Sequence, residues 1–164
     1  MHLPPPDDAA VQALWNDFLE SHPRLPDAGD PPTAEQFGDA PALADELLGL
    51  VLAGRKRATA CLVVEFALEG ARLPRIGDHW IACDGAGVPR VVLRSVELRI
   101  GSIDSVDEAF ARDEGEGDLT RESWLREHRA YWLRVAPVQG FIWDDGLEVL
   151  FERFRVVWPP GPAD

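Results

Sequence analysis

Lys56 is the only lysine among sixteen lysine and arginine side chains, and it stands in the stretch AGRKRATACL at positions 53 to 62. An arginine guanidinium stays charged in a protein, whereas a desolvated lysine amine can release its proton and act as a base or nucleophile. Abundant Ala, Gly, Pro and Arg point to a G+C-rich coding source, which by itself turns lysines into arginines. The lysine that persists is therefore worth following, with chance as the plain alternative. Thr59 lies three residues on. A turn or one helical step between the two would let both point into one cleft, whereas an unbroken strand would put them on opposite faces. If they converge, a neutral Lys56 can take the proton of the Thr59 hydroxyl and make it a nucleophile. Glu97 is the carboxylate candidate, either orienting the pair or acting as acid and base itself.

Each of these residues has a structural reading beside the chemical one. Arg55, Lys56 and Arg57 follow an expected helix end, where cations complement the helix dipole for about 0.3 to 1 kcal/mol. Glu97 can pair with Arg99 on the same strand face as an exposed ion pair of little energetic value. His128 falls on the apolar stripe of a helix, where a hydrogen-bonded core histidine is the ordinary finding. Trp124 and Trp132 suit packing, although a tryptophan at a cleft mouth can also stack on a base. The acidic run at 113 to 118, with Asp113, Glu114, Glu116 and Asp118 spaced by glycine, can recruit Mg²⁺ or Ca²⁺ through carboxylate oxygens. It matches no calcium loop and reads as a helix-linking turn with solvated charges. No metal ligand set, phosphate loop, nucleophile elbow or zinc-protease motif is present. The expectation is no cofactor, with a divalent metal left open.

The elements that must position these side chains follow from periodicity. Residues 9 to 20 form an amphipathic helix with Val11, Leu14, Trp15, Phe18 and Leu19 on one face and Asp7 or Asp8 as cap. A connection rich in Pro, Gly and Asp runs over 21 to 33. A second helix is expected from a cap at Asp39, with Pro41 in its first turn and Gly54 at the left-handed end position. Residues 58 to 70 fit a strand or a short helix equally. Strands are expected at 79 to 83 and 89 to 100, the second placing Glu97 on the face of Val91, Leu93 and Ser95. Two helices follow, capped by Ser105 and Thr120, the later one carrying Trp124, Leu125, His128, Tyr131, Trp132 and Val135 as a stripe. A long strand, LEVLFERFRVVW, closes the chain. Helices before and after non-alternating strands indicate an α+β fold with a small barrel-like sheet.

At 164 residues one domain is expected, 1–164, in which 1–38 supplies an N-terminal helix and Pro-rich connection packed on a barrel-and-helix core at 39–158. Neither a signal peptide nor a membrane span is evident, so the expected location is cytoplasmic. Cys61 and Cys83 form no C-x-x-C pair and are expected to be reduced, buried thiols. A net charge of −13 excludes a general nucleic-acid coat, so any such site must be local, and GRKR is the densest basic cluster.

Five segments in order, FGDAPALADELLGLVLAGRKRATACL, EGARLPRIGD, VELRIGSIDSVDEAFARDEGEGD, SWLREH and LFERFRVVWP, resemble the ASCH domain, the activating signal cointegrator homology family, over roughly residues 10 to 158. The resemblance implies a PUA-like small β-barrel with flanking helices and RNA-related work. Its members include single-strand ribonucleases and small amidohydrolases that deacetylate N4-acetylcytidine with a lysine, a threonine three residues on and a glutamate. By motif these are Lys56, Thr59 and Glu97. Where many members read G-x-K-T-x-T this chain has GRKRAT, so one threonine is missing and Arg57 adds charge. The expected function is an RNA-binding hydrolase acting on single-stranded RNA as a ribonuclease. The alternatives are an N4-acetylcytidine-type amidohydrolase and a non-catalytic reader of RNA or a modified base. Expected partners are single-stranded RNA or a nucleoside or nucleotide, with Arg55, Arg57, Trp124 and His128 in substrate binding.

Overall fold

The computed structural model describes residues 2–25 and 29–161, so residues 26–28 of the expected connection lie outside it. In chain order the elements are α1 (Asp8–Ser21), β1 (Ala34–Gln36), α2 (Pro41–Leu52), β2 (Ala58–Leu62), α3 (Val63–Glu69), β3 (His79–Cys83), β4 (Pro89–Gly101), a 3₁₀ turn (Ile103–Ser105), α4 (Glu108–Glu114), α5 (Arg121–Gln139) and β5 (Val149–Trp158). The ambiguity over 58 to 70 resolves as both alternatives in succession, a strand and then a helix. Two compact units share the chain, Met1–Leu52 with Gly77–Arg94 and Arg155–Asp164, and Ala53–Ile76 with Ser95–Phe154.

In the first unit Asp7 caps α1 by accepting from the Ala10 N–H at 3.0 Å. Val11, Trp15 and Phe18, three to four residues apart, bury one helix face against Ile81 and Cys83 of β3 and Val92 of β4. β1 pairs parallel with β3, Ala34 opposite Ile81, and β3 pairs antiparallel with β4, Ile81 opposite Val92. The first α-helical bond of α2 runs from the Ala44 N–H to the Ala40 carbonyl, so Ala40 takes the cap position expected of Asp39. Gly85 in the β3–β4 turn lies so close to α2 that a Cβ would stand 2.3 Å from the Pro41 oxygen.

In the second unit the strands run β4, β5, β2, the last two antiparallel with Thr59 opposite Glu152 and Ala60 opposite Phe151. Ala58, Leu62, Val149 and Phe151 meet Phe110 of α4 and Trp124, Leu125, Trp132 and Val135 of α5 in one aromatic-rich core. Thr120 caps α5, accepting from the Ser123 N–H at 3.1 Å. Ser105 is not the cap of α4: it closes the 3₁₀ turn, its hydroxyl donating to Ser102 O, and Asp107 caps α4 by accepting from the Phe110 N–H at 2.7 Å. A carboxylate directly before the helix outcompetes a hydroxyl two residues earlier. Cys83 is buried as expected, whereas Cys61 is only half-buried.

Candidate functional site

The strand start that carries Lys56 is pinned from two sides. Arg57 donates its N–H to Asp113 O at 2.7 Å, and its carbonyl accepts from the Phe154 N–H at 3.0 Å. The segment 113–116 lies directly on this backbone. Gly115, at φ +71°, has no room for a side chain, because a Cβ would stand 2.6 Å from Arg55 O. Glycine is therefore required both by the left-handed conformation and by the close approach.

Lys56 is 2% exposed. Its ammonium donates to Glu116 Oε2 at 2.7 Å and reaches the Glu114 carbonyl at 3.5 Å. Glu114, at the end of α4, is 1% exposed. Its Oε2 accepts from Trp124 Nε1 at 2.8 Å and lies 2.9 Å from His128 Nε2. His128 Nδ1 is 2.9 Å from the Trp124 carbonyl, a partner that can only accept, so Nδ1 carries a proton, and Nε2 faces Glu114, to which it donates when the imidazole is protonated. The imidazole stacks on the Trp124 indole, ring centroids 3.9 Å apart, the one-turn spacing of the two residues on α5 putting the rings face to face.

Burial acts to raise the Glu114 carboxyl, but the charges of His128 and Lys56 outweigh it and hold the group below the usual carboxylate range. Glu116 is raised, by burial first, with Lys56 opposing and the charge of Glu114 adding. Burial acts to lower His128, and Glu114 outweighs it, so the imidazole is raised. The cluster thus sets two carboxylates against two cationic groups in a protected place, an arrangement that can give and take protons. Glu114, Glu116 and His128 can each also bring one ligand atom to within 4.8 Å of the other two.

The residues singled out in the sequence have different partners. Thr59 is half-buried on β2, opposite Glu152, a buried carboxylate that accepts from Ser95 Oγ. Glu97 has a side chain 57% exposed and pairs with Arg153 at 2.8 Å, and Arg153 also holds Asp113 at 2.9 Å. The expected Glu97–Arg99 pair is replaced by this cross-strand one, since Arg153 reaches Glu97 from β5 while Arg99 donates to Ser105 Oγ and covers the Phe151 ring. Arg55 and Arg57 are exposed, and Arg57 Nε donates to Gly54 O at 3.1 Å, two residues beyond the end of α2. Trp124 is buried among Phe110, Phe151 and Trp132, and His128 is half-buried beside it.

The acidic run departs from its expected solvation. Glu114 and Glu116 face inward onto Lys56 and His128, and Asp113 is held by Arg153. Sequence reading missed Glu114 and Glu116 as site residues because D-E-G-E-G carries the composition of a surface turn. The usable signal was electrostatic: a lone buried lysine needs a buried carboxylate near it.

The family model of the ASCH domain matches residues 33–158. An ASCH domain structure from Lactobacillus crispatus JV V101 superimposes with a TM-score of 0.81 at 25% identity, covering 91% of this chain and 94% of that one. The structure of protein EF3133 from Enterococcus faecalis V583 does so with a TM-score of 0.79 at 29% identity, covering 91% and 88%. No curated protein matches the chain. The small barrel-like α+β architecture expected from the sequence is the fold of these structures.

Proposed function

Because this chain belongs to the ASCH domain family, generally associated with RNA binding, we propose that it is an RNA-directed hydrolase whose target bond is an amide on a nucleobase rather than a phosphodiester. The observation that carries this reading is the burial of Lys56 against Glu116 and the end of α4. A cation committed to carboxylates is poorly placed to neutralise a phosphoryl group, and phosphate oxygens entering there would meet Glu114 and Glu116. A neutral amide carries no such penalty. Hydrolysis of an N-acyl group adds water across the C–N bond, so one proton leaves the attacking oxygen and one reaches the departing nitrogen. Lys56 and Glu116 are the proton carriers in this reading, and Glu114 takes the carboxylate role the sequence assigned to Glu97. Thr59 remains the candidate nucleophile, with Glu152 as its strand partner. Exposed Arg55 and Arg57 are suited to the phosphates of neighbouring nucleotides.

The test is mass spectrometry of a short single-stranded RNA with one N4-acetylcytidine, incubated with wild type, Lys56→Arg and Glu114→Gln. Loss of acetyl from an unbroken strand by wild type, slowed at least about 100-fold in both variants, is expected. An acetyl adduct recovered on Thr59 would identify the nucleophile. Strand scission would replace the amide reading by the ribonuclease one, and intact RNA that stays bound would point to a reader.

A further inference from the structure

We propose that Glu114, Glu116 and His128 form a binding site for one divalent transition-metal ion, for which Lys56 is the competing cation. The inference stands on geometry and holds whether or not the amide reading does. Their ligand atoms lie within 4.8 Å of one another. Glu114 Oε2 and His128 Nε2 are 2.9 Å apart, near the roughly 3.3 Å between two ligands on a tetrahedral ion with bonds of about 2.0 Å.

A second observation points to a missing partner. Glu114 Oε1 is the buried side-chain oxygen without a hydrogen-bond partner among the described residues, although the whole side chain is 1% exposed. Trp124 Nε1 and His128 Nε2 both go to the other oxygen, and the nearby Lys56 ammonium donates to Glu116 and to the Glu114 carbonyl. A buried carboxylate oxygen left this way is destabilising, and a cation satisfies it directly.

The surrounding groups are those that orient metal ligands. The Trp124 carbonyl holds the proton of His128 on Nδ1 and leaves the Nε2 lone pair for a metal once the imidazole is neutral. The indole N–H fixes the carboxylate of Glu114. One imidazole nitrogen with two carboxylates suits Zn²⁺, Co²⁺ or Mn²⁺ better than Ca²⁺ or Mg²⁺, which favour all-oxygen shells. Three protein ligands leave a position for water or a substrate oxygen. Lys56 shares Glu116, so an entering ion must draw that carboxylate away from the ammonium. Removing the ammonium should strengthen metal binding, an effect that a merely structural cluster would not produce.

The experiment is titration of the full chain with Co²⁺, followed by calorimetry and by the d–d absorption that reports coordination, on wild type, His128→Ala, Glu114→Gln, Lys56→Met and the surface control Glu127→Gln. One ion per chain should bind wild type and Glu127→Gln alike. His128→Ala and Glu114→Gln should weaken binding about 10- to 100-fold, and Lys56→Met should strengthen it about tenfold. Circular dichroism identifies any variant that fails to fold, and the Lys56→Met and wild-type comparison then decides. Absent binding by wild type at millimolar Co²⁺, unchanged affinity in folded His128→Ala, or weaker binding in Lys56→Met would each overturn the site.

Discussion

Exchanging Lys56 for methionine keeps the aliphatic stem and removes the charge, so the outcome measures the ammonium alone. Glu116, with a side chain 31% exposed, can turn toward water, while the enclosed Glu114 cannot. The expected loss is about 1–3 kcal/mol in urea denaturation, smaller than for a fully enclosed pair. His79 offers a pH test away from this cluster. Burial lowers its pKa first and the charge of Arg94 lowers it further, so the folded chain holds the imidazole neutral. The unfolded chain binds that proton more readily, so this contribution to stability is present above about pH 6.5 and is lost as pH falls toward the folded value. Wild type should therefore lose more stability than His79→Asn between about pH 7.5 and about pH 5.5. Equal losses would show that His79 does not titrate differently on folding.

At the scale of elements, the caps and the docked 113–116 segment decide where the site residues lie. Thr120→Ala removes the acceptor for the Ser123 N–H and should cost about 1 kcal/mol in thermal unfolding, without changing the chemistry of α5 itself. Gly115→Ala should be worse than an ordinary helix-end change, about 2 kcal/mol or more, because φ +71° and the Arg55 carbonyl at 2.6 Å both exclude a side chain. Hydrogen exchange should show the loss concentrated at the Arg57 amide, whose acceptor is Asp113 O. The Thr120 cap was legible in the sequence, and the Asp7 cap was legible as one of two adjacent aspartates, because these oxygen-bearing side chains precede a periodic apolar run. Ser105 misled because the better-placed cap, Asp107, follows two residues later and the 3₁₀ turn that Ser105 closes has no sequence signature.

For the molecule as a whole, a net charge of −13 sets the terms of any encounter with RNA. Long polyanions are repelled away from the local basic patch, so short oligonucleotides should be acted on faster than long duplexes, with the gap narrowing as salt rises. Faster action on long duplex at low salt would contradict this. Among the described residues no helix is long and apolar enough to cross a membrane. β3, β4, β5, most helices and the ASCH assignment were determined by the sequence itself, since periodicity, caps and left-handed glycines are local, whereas the short β1 and the strand-then-helix at 58 to 69 emerged only in the structure. Lys56 was also marked by composition alone. Its partners were decided only in the tertiary structure: Glu114 and Glu116 lie some sixty positions away, and His128 further still. A carboxylate in a glycine-spaced acidic run looks solvated until the fold encloses it. Burial and a distant charge, which no local pattern encodes, convert that run into the wall of the candidate site.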